Sequence, residues 1–286
     1  MTPSRPSTPS RPSTRTVLVT GSTDGLGRAL AHRLAAEGAT VLLHGRDRGK
    51  LDRTAGEIAD AHGVDRPATL CADLAELDQV RALAAEVRAT TDRLHVLVNN
   101  AGIGAGEPDG RTRRISVDGH ELRFAVNHLA GFLLSLELLP LLRASAPARI
   151  VNVASAGQEE IDFDDLMLTG DYDGTSAYCR SKLAQIACGM ELAARVPAGE
   201  VTVNSLHPST YMPTKMVLQE IGYSIDSLED GIAATHRLVT DPELAGTTGR
   251  YYDRLREARA HRQAYDLRAR AELWARCLEL VGHADV

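Results

Sequence analysis

A chain of 286 residues, 43% hydrophobic and 24% charged, is long enough to bury a sizeable core and has an ordinary globular make-up, which excludes fibrous and wholly disordered classes. The formal net charge of -6 argues against a nucleic-acid-binding surface, because neutralising phosphates takes clustered Lys and Arg, and it leaves a small molecule as the expected partner. The four cysteines, Cys71, Cys179, Cys188 and Cys277, show no C-x-x-C spacing, no secretory signal precedes them and no apolar run is read as reaching membrane length; free thiols in a soluble cytoplasmic protein, with no membrane contact and no metal site, are expected.

The opening MTPSRPSTPSRPSTR (1–15) is a Pro/Ser/Thr/Arg repeat with one apolar residue, Met1, and reads as a disordered tail. From residue 16 to 286 no composition break separates a second domain, so a single domain including a C-terminal helical segment is expected. Short β-branched or leucine-rich runs recur at TVLVTG (16–21), TVLLHG (40–45), PATLCADL (67–74), HVLVNNAG (95–102), RIVNVAS (149–155), VTVNSLHP (201–208) and GRYYD (249–253). Several are almost continuously apolar, as strands covered on both faces are. Between them lie segments with helical spacing, such as Leu26, Leu30 and Leu34, or Leu74, Leu77 and Val80. The alternation predicts an α/β protein: a doubly wound, mainly parallel, seven-stranded sheet with right-handed crossovers and helices on both faces.

The first strand runs into TGSTDGLGRAL, where Gly21, Gly25 and Gly27 open the first helix in G-x-x-x-G-x-G spacing. Missing side chains let backbone approach a pyrophosphate, and the helix N-terminus favours its charge, so Gly21, Ser22, Asp24, Gly25, Leu26 and Gly27 form a candidate dinucleotide cradle. Glycine-rich loops are common, and only the position between strand and helix gives this one meaning. The second strand ends at HGRD, where an acidic residue would bind a ribose 2′-hydroxyl and an arginine a 2′-phosphate. Arg46 therefore favours NADP(H) over NAD(H) through charge-assisted hydrogen bonds, while Asp47 and Asp24 argue for NAD and the charged loop GRDRGK admits a plain surface arginine. GRDRGK is one residue short of a P-loop and lacks the following Ser or Thr, which excludes triphosphate hydrolysis.

In SAYCRSKLAQ (176–185), Tyr178 and Lys182 fall one helical turn apart. An ammonium beside a phenol favours phenolate, which predicts a lowered tyrosine pKa and a usable proton donor or acceptor near neutral pH. Taken alone, the pair equally fits a solvated helix face.

With NNAG (99–102) added, the chain from about Thr16 onward resembles the short-chain dehydrogenase/reductase family: TGSTDGLG, Asp73, NNAG, Asn127, Ser155, Tyr178 with Lys182, and His207-Pro208 follow in the family's order. The resemblance implies a Rossmann-type fold and roles by position. Asp73 would bind the adenine amino group, with Leu74 beside it; Asn99, Ala101 and Gly102 would support the adenine ribose and the central strand. Asn127 would hold helix geometry and a water leading to Lys182. Ser155 would bind the substrate oxygen, Tyr178 transfer the proton, and Lys182 bind the nicotinamide ribose, with Pro208 and Thr210 completing the cofactor contacts. Asn127 and Ser155 also fit simple capping or backbone satisfaction. Val153 replaces the first glycine of a G-x-S-x-G elbow, which leaves a serine hydrolase poorly supported.

FAVNHLAGFLLSL, RIVNVAS, AYCRSKLAQI and the long insertion between Ser155 and Tyr178 are similar to the retinol-dehydrogenase-type branch, and the Ala- and Arg-rich composition suits a bacterial type. Two departures stand out: Ala154-Ser155 replaces a paired serine, and Ser209 replaces the glycine after His207-Pro208. Retinoid specificity is not carried over. Substrate selection is expected from loops 103–118, 156–177 and 209–228; the last offers Tyr211, Met212, Met216, Leu218 and Ile221 either to cover a hydrophobic ketone or alcohol or as ordinary packing. The expectation is an oxidoreductase interconverting a carbonyl and an alcohol, in the reductive direction, as a homodimer or homotetramer; the alternative is a dinucleotide-binding sensor or structural partner without turnover.

Overall fold

The computed structural model describes residues 15–106 and 112–286; nearly all of the tail and part of the 103–118 loop lie outside the described residues. In chain order the elements are β1 (Thr16–Val19), α1 (Gly25–Ala36), β2 (Thr40–Gly45), α2 (Arg48–His62), β3 (Ala68–Cys71), α3 (Leu77–Thr90), β4 (Val96–Asn99), α4 (Leu122–Phe124), a π-helical turn (Ala125–Leu129), α5 (Ala130–Ala144), β5 (Ala148–Val153), α6 (Gly174–Arg195), β6 (Val201–His207), α7 (Lys215–Glu220), α8 (Leu228–Thr240), β7 (Tyr251–Asp253), β8 (Arg256–Ala258) and α9 (Leu267–Val281).

All seven expected strands form, and they pair in parallel in the order β3-β2-β1-β4-β5-β6-β7. The sheet has eight strands rather than seven. Arg254, at φ 53, reverses the chain after β7, and β8 returns antiparallel on the edge. Its three residues, Arg-Glu-Ala, carry no apolar pattern to announce a strand.

Period-two alternation splits the strands between two layers: Val17 and Val19 face α1, α2 and α8, while Leu18 faces α3, α5, α6 and α9. The chain builds outward from β1 to β3 and then crosses back to β4, so the β1/β4 boundary is the switch point where open α/β sheets hold ligands. One expectation is corrected here. Leu122–Ala144 is a continuous helical stretch of 23 residues, long and apolar enough to cross a membrane by length and composition; most of it is buried inside the protein, as in a core helix.

His44 ties three strand ends together. It is 2% exposed, its Nδ1 accepts from the Gly21 N–H at 3.2 Å, and its Nε2 therefore donates to the Ala72 carbonyl at 3.2 Å. Burial pushes its pKa down to about 4, against partial compensation from the Ala72 carbonyl. Above the unfolded value near 6.5 both states are neutral and nothing is lost; as pH falls from there toward about 4, only the unfolded chain gains the proton, so stability declines. Denaturant unfolding should therefore show the wild type losing roughly 2 kcal/mol more than His44→Gln between about pH 7.5 and about pH 4.5. Equal losses in the two proteins would remove His44 from this role.

Candidate active site

The glycine turn is shaped by close backbone contact. Gly21 sits at φ +66, and a Cβ there would lie 2.9 Å from the Ala101 Cα. A Cβ on Gly27 would stand 2.3 Å from the Gly21 carbonyl oxygen and 2.4 Å from Asn100 Nδ2. Thr20 and Asn100 hold this arrangement: the Thr20 hydroxyl accepts from Asn100 N at 2.9 Å and Ala101 N at 3.0 Å, and Asn100 Nδ2 donates to the Thr20 carbonyl at 2.8 Å. Ser22 turns inward, its hydroxyl donating to the His44 carbonyl at 3.2 Å and its backbone N–H to the same carbonyl at 2.9 Å, while Leu26 packs into the α1/α8 layer and has only backbone to offer a ligand. Asp24 is exposed and caps α1, accepting from Gly25 N at 2.7 Å. Gly25, at φ +49, approaches Thr214 of the loop before α7.

At the end of β2, Asp47 caps α2 by accepting from Lys50 N at 2.9 Å, and that N–H holds its carboxyl below the usual range. Arg46 is exposed and makes no ion pair among the described residues. Asp47 thus serves as a helix cap, while Arg46 is a cation without an ion pair among the described residues. Asp73 is half-buried and accepts from Ala75 N at 3.0 Å, while the Leu74 side chain is part of the core. Asn99 also turns inward: its amide donates to Ser135 Oγ and to Asn152 Oδ1, both at 3.0 Å, so it braces β4 against β5 and α5. Ala101 and Gly102 are the half-buried residues of that turn beside the cradle.

The four proposed catalytic side chains converge at the carboxyl edge of the sheet. Asn127 lies in the π-helical turn, whose extra residue aims its side chain off the helix. Its Oδ1 accepts from Ile103 N at 2.8 Å, and its Nδ2 donates to the Ile103 carbonyl and to Ser181 Oγ, each at 3.0 Å. Lys182 is 4% exposed and donates to the Val153 carbonyl at 3.0 Å and to Gln185 Oε1 at 3.5 Å. A Cβ on Gly102 would meet Asn127 Oδ1 at 3.1 Å and Lys182 Nζ at 3.5 Å, which places the NNAG turn against both. The Ser155 hydroxyl lies near enough to the Tyr178 phenol to pull its pKa down and accepts from Gly157 N at 3.0 Å, and Tyr251 of β7 fixes its backbone by donating to the Ser155 carbonyl at 3.0 Å.

The expected lowering of the tyrosine pKa is absent in the protein alone. Burial pushes Tyr178 up to about 12, outweighing the hydrogen bond with Ser155 that pulls it down. Lys182 Nζ stands 5.8 Å from the phenol ring centroid and spends its hydrogen bonds on Val153 and Gln185; burial lowers its own pKa to about 8.

Side chains that sequence reasoning missed build the walls. Arg123, fully buried, donates to the carbonyls of Gly104 at 2.8 Å and Ala105 at 2.6 Å and to the Tyr172 hydroxyl at 2.6 Å; that hydroxyl donates to Glu121 at 2.9 Å. The insertion and the 103–106 segment are thereby fastened to the start of α4. Opposite, Glu220 of α7 accepts from Ala105 N at 3.1 Å. Pro208 is buried, and the loop after it is held from behind: Asp226 accepts from Thr210 N at 2.8 Å and pairs with Arg254 at 2.7 Å, which also donates to Thr210 Oγ1. Met212 packs beside Leu26, so packing is its role, whereas Tyr211, Leu218 and Ile221 are exposed. Single Arg, Glu and Asp residues in short helices and loops carry no spacing signal that would have marked these partners.

The short chain dehydrogenase profile matches residues 15–221. The chain is 36% identical to human (Homo sapiens) retinol dehydrogenase 13 over 291 aligned residues, covering 94% of this chain and 85% of that protein. Among solved structures, an uncharacterised protein from Mycobacterium paratuberculosis superposes with a TM-score of 0.73 at 27% identity, covering 95% of this chain and 94% of the other. A short chain dehydrogenase from Shigella flexneri complexed with NADP superposes with a TM-score of 0.67 at 26% identity, covering 84% and 96%. The fold, the glycine turn at the switch point and these similarities together establish that the chain belongs to the short chain dehydrogenase family, on its retinol-dehydrogenase-like branch, and is a nicotinamide-dependent dehydrogenase/reductase.

Proposed function

We propose that this enzyme uses NADP(H) to interconvert a carbonyl and an alcohol on a small hydrophobic substrate, working in the reductive direction with Tyr178 as general acid. The observation that carries the reading is the convergence of the Ser155 hydroxyl, the Tyr178 phenol and the Lys182 ammonium beside Gly102 and the glycine cradle. The chain fits a dinucleotide: the close approaches at Gly21 and Gly27 leave a backbone surface that a Cβ would fill, and Arg46 is an uncommitted cation at the end of β2. Bound NADPH supplies the hydride.

The protein's own groups handle the charge and the proton. Ser155 donates to the carbonyl oxygen, and Tyr178 gives that oxygen its proton as negative charge develops there. A phenol with a pKa of about 12 stays protonated at neutral pH, which suits proton donation better than abstraction. Lys182, near 8, is the group able to exchange a proton in the working range, and its location beside Asn127 and Gly102 supports it as the route for restoring the phenol. The exposed apolar residues of 211–221 support a hydrophobic substrate. The same reading has the enzyme acting in the cytoplasm, without a membrane, as a homodimer or homotetramer; burial of the apolar Leu122–Ala144 helix supports the absence of a span.

Titration by nicotinamide fluorescence tests the cofactor assignment. Arg46→Ala should weaken NADPH binding by about tenfold to a hundredfold, the loss of one charge-assisted phosphate contact, and leave NADH binding unchanged; equal weakening of both would remove Arg46 as selector. Tyr178→Phe should lower kcat on a ketone or aldehyde by about 100-fold or more while the NADPH dissociation constant moves by less than about threefold. The rate of the wild-type reduction should fall above about pH 8, as Lys182 loses its charge. Undiminished turnover in Tyr178→Phe would sink the mechanism.

A further inference from the structure

Away from the active-site cleft, three soft ligands that are remote in sequence meet inside the protein. His128 follows Asn127 in the π-helical turn, Cys188 lies on α6 and Cys277 on α9; they are 1%, 3% and 0% exposed. Their ligating atoms all lie within 4.8 Å of one another, and His128 Nε2 is 3.1 Å from Cys277 Sγ. A tetrahedral zinc ion with bonds of about 2.0 Å to nitrogen and about 2.3 Å to sulfur has ligand-to-ligand edges of roughly 3.5 Å, the scale of this triangle.

We propose that His128, Cys188 and Cys277 form a buried site for one zinc-type divalent cation that locks α9 to α6 and to the π-helical turn. The charge count selects the ion class. Two thiolates and a neutral imidazole make a dication electrically neutral, so nothing net is buried, whereas a monovalent copper ion would leave one negative charge in the core. Thiolate and imidazole ligands exclude magnesium and calcium, which take oxygen. Binding forms two metal–sulfur bonds and one metal–nitrogen bond and expels both thiol protons to solvent; His128 coordinates through Nε2. A cavity of about 20 Å³, room for a single water, is lined by His128 and Cys188 of the triangle, by the polar side chains of Ser135, Asn152 and Gln185, and by apolar side chains such as Phe132 and Ile150. In the proposed site a water held in that cavity would be the fourth ligand.

The placement gives the site a mechanical consequence. Tyr178, Lys182, Gln185 and Cys188 recur at helical spacing along α6, and Lys182 Nζ is 3.5 Å from Gln185 Oε1. A bound ion therefore stiffens the helix that carries the tyrosine and lysine and the turn that carries Asn127.

The test is titration of the full-length, freshly reduced, metal-depleted protein with Co2+, followed by displacement with Zn2+. Expected is one cobalt per chain with thiolate-to-cobalt charge-transfer absorption and the visible bands of a tetrahedral ion, bleached by zinc and accompanied by a higher thermal midpoint. The spectrum should persist in the double variant C71S/C179S, disappear in C188S and in C277S, and require at least about tenfold more cobalt in H128Q. No charge-transfer band in the reduced wild type, or a band that survives C277S, overturns the site. A mass lower by two hydrogens in protein purified without reductant, with no metal taken up after reduction, identifies Cys188 and Cys277 as a disulfide pair instead and overturns it as well.

Discussion

Everything that faces a ligand in this protein is built outward from the seam between β1 and β4, and that seam depends on Thr20 and Asn100. The Thr20 hydroxyl has all of its bonding capacity in use: it accepts from two successive backbone N–H groups and donates to the Val98 carbonyl at 3.2 Å. Asn100 answers from the other strand by donating to the carbonyls of Thr20 and Gly21. With the two strand ends drawn this close, Gly21 and Gly27 cannot carry a Cβ, and the concave backbone surface at the start of α1 follows from packing. His44 extends the same constraint to β2 and β3, so the cradle, Arg46 and Asp73 are positioned by one connected set of buried hydrogen bonds.

Tyr178 and Lys182 are governed by a single cause acting with opposite signs. Burial disfavours whichever form is charged, so it raises the Tyr178 phenol to about 12 and lowers the Lys182 ammonium to about 8. The two values therefore move apart from nearly equal ordinary ones, 10.0 for the phenol and 10.5 for the ammonium, and the lysine becomes the more easily deprotonated of the two. A pairwise argument from sequence spacing sees only the attraction between ammonium and phenolate. It misses that the ammonium is turned to the Val153 carbonyl, and that desolvation, a property of the whole surrounding fold, dominates both groups.

What could be read in the sequence was whatever depends on local pattern. Seven strands were legible because short β-branched, leucine-rich or aromatic runs recur between helical segments, and the order of the glycine turn, NNAG, Asn127, Ser155 and Tyr178 with Lys182 follows the chain. β8 was not, because a three-residue edge strand made by the positive φ of Arg254 needs no pattern. The apolar helix was misjudged because Gly131, Glu137 and Pro140 interrupt its run without ending it. That Asp47 caps α2 was not legible in the charged string GRDRGK and becomes plain only when its carboxylate is seen on Lys50 N. Arg123 and Tyr172 lie 49 positions apart, and no spacing rule joins residues at that distance.

The two walls of the candidate site are held with unequal strength. On one side Arg123 and Glu121 are wholly buried, and Arg123 is kept there by backbone carbonyls and by a Tyr172 hydroxyl whose own ionisation burial and Glu121 suppress. Removing any member leaves a buried charge without its partner, which is why such networks act as fixed parts of a structure. On the other side α7 spans six residues, none of them buried, and reaches the 103–106 segment through the Glu220 carboxylate on one backbone N–H. Local opening draws first on elements with few buried contacts, so the energetic asymmetry assigns motion over the site to α7 and constancy to the insertion. The exposed Tyr211, Leu218 and Ile221 belong to the weaker wall, and an apolar substrate that covers them would recover there the burial that the wall lacks in the protein alone.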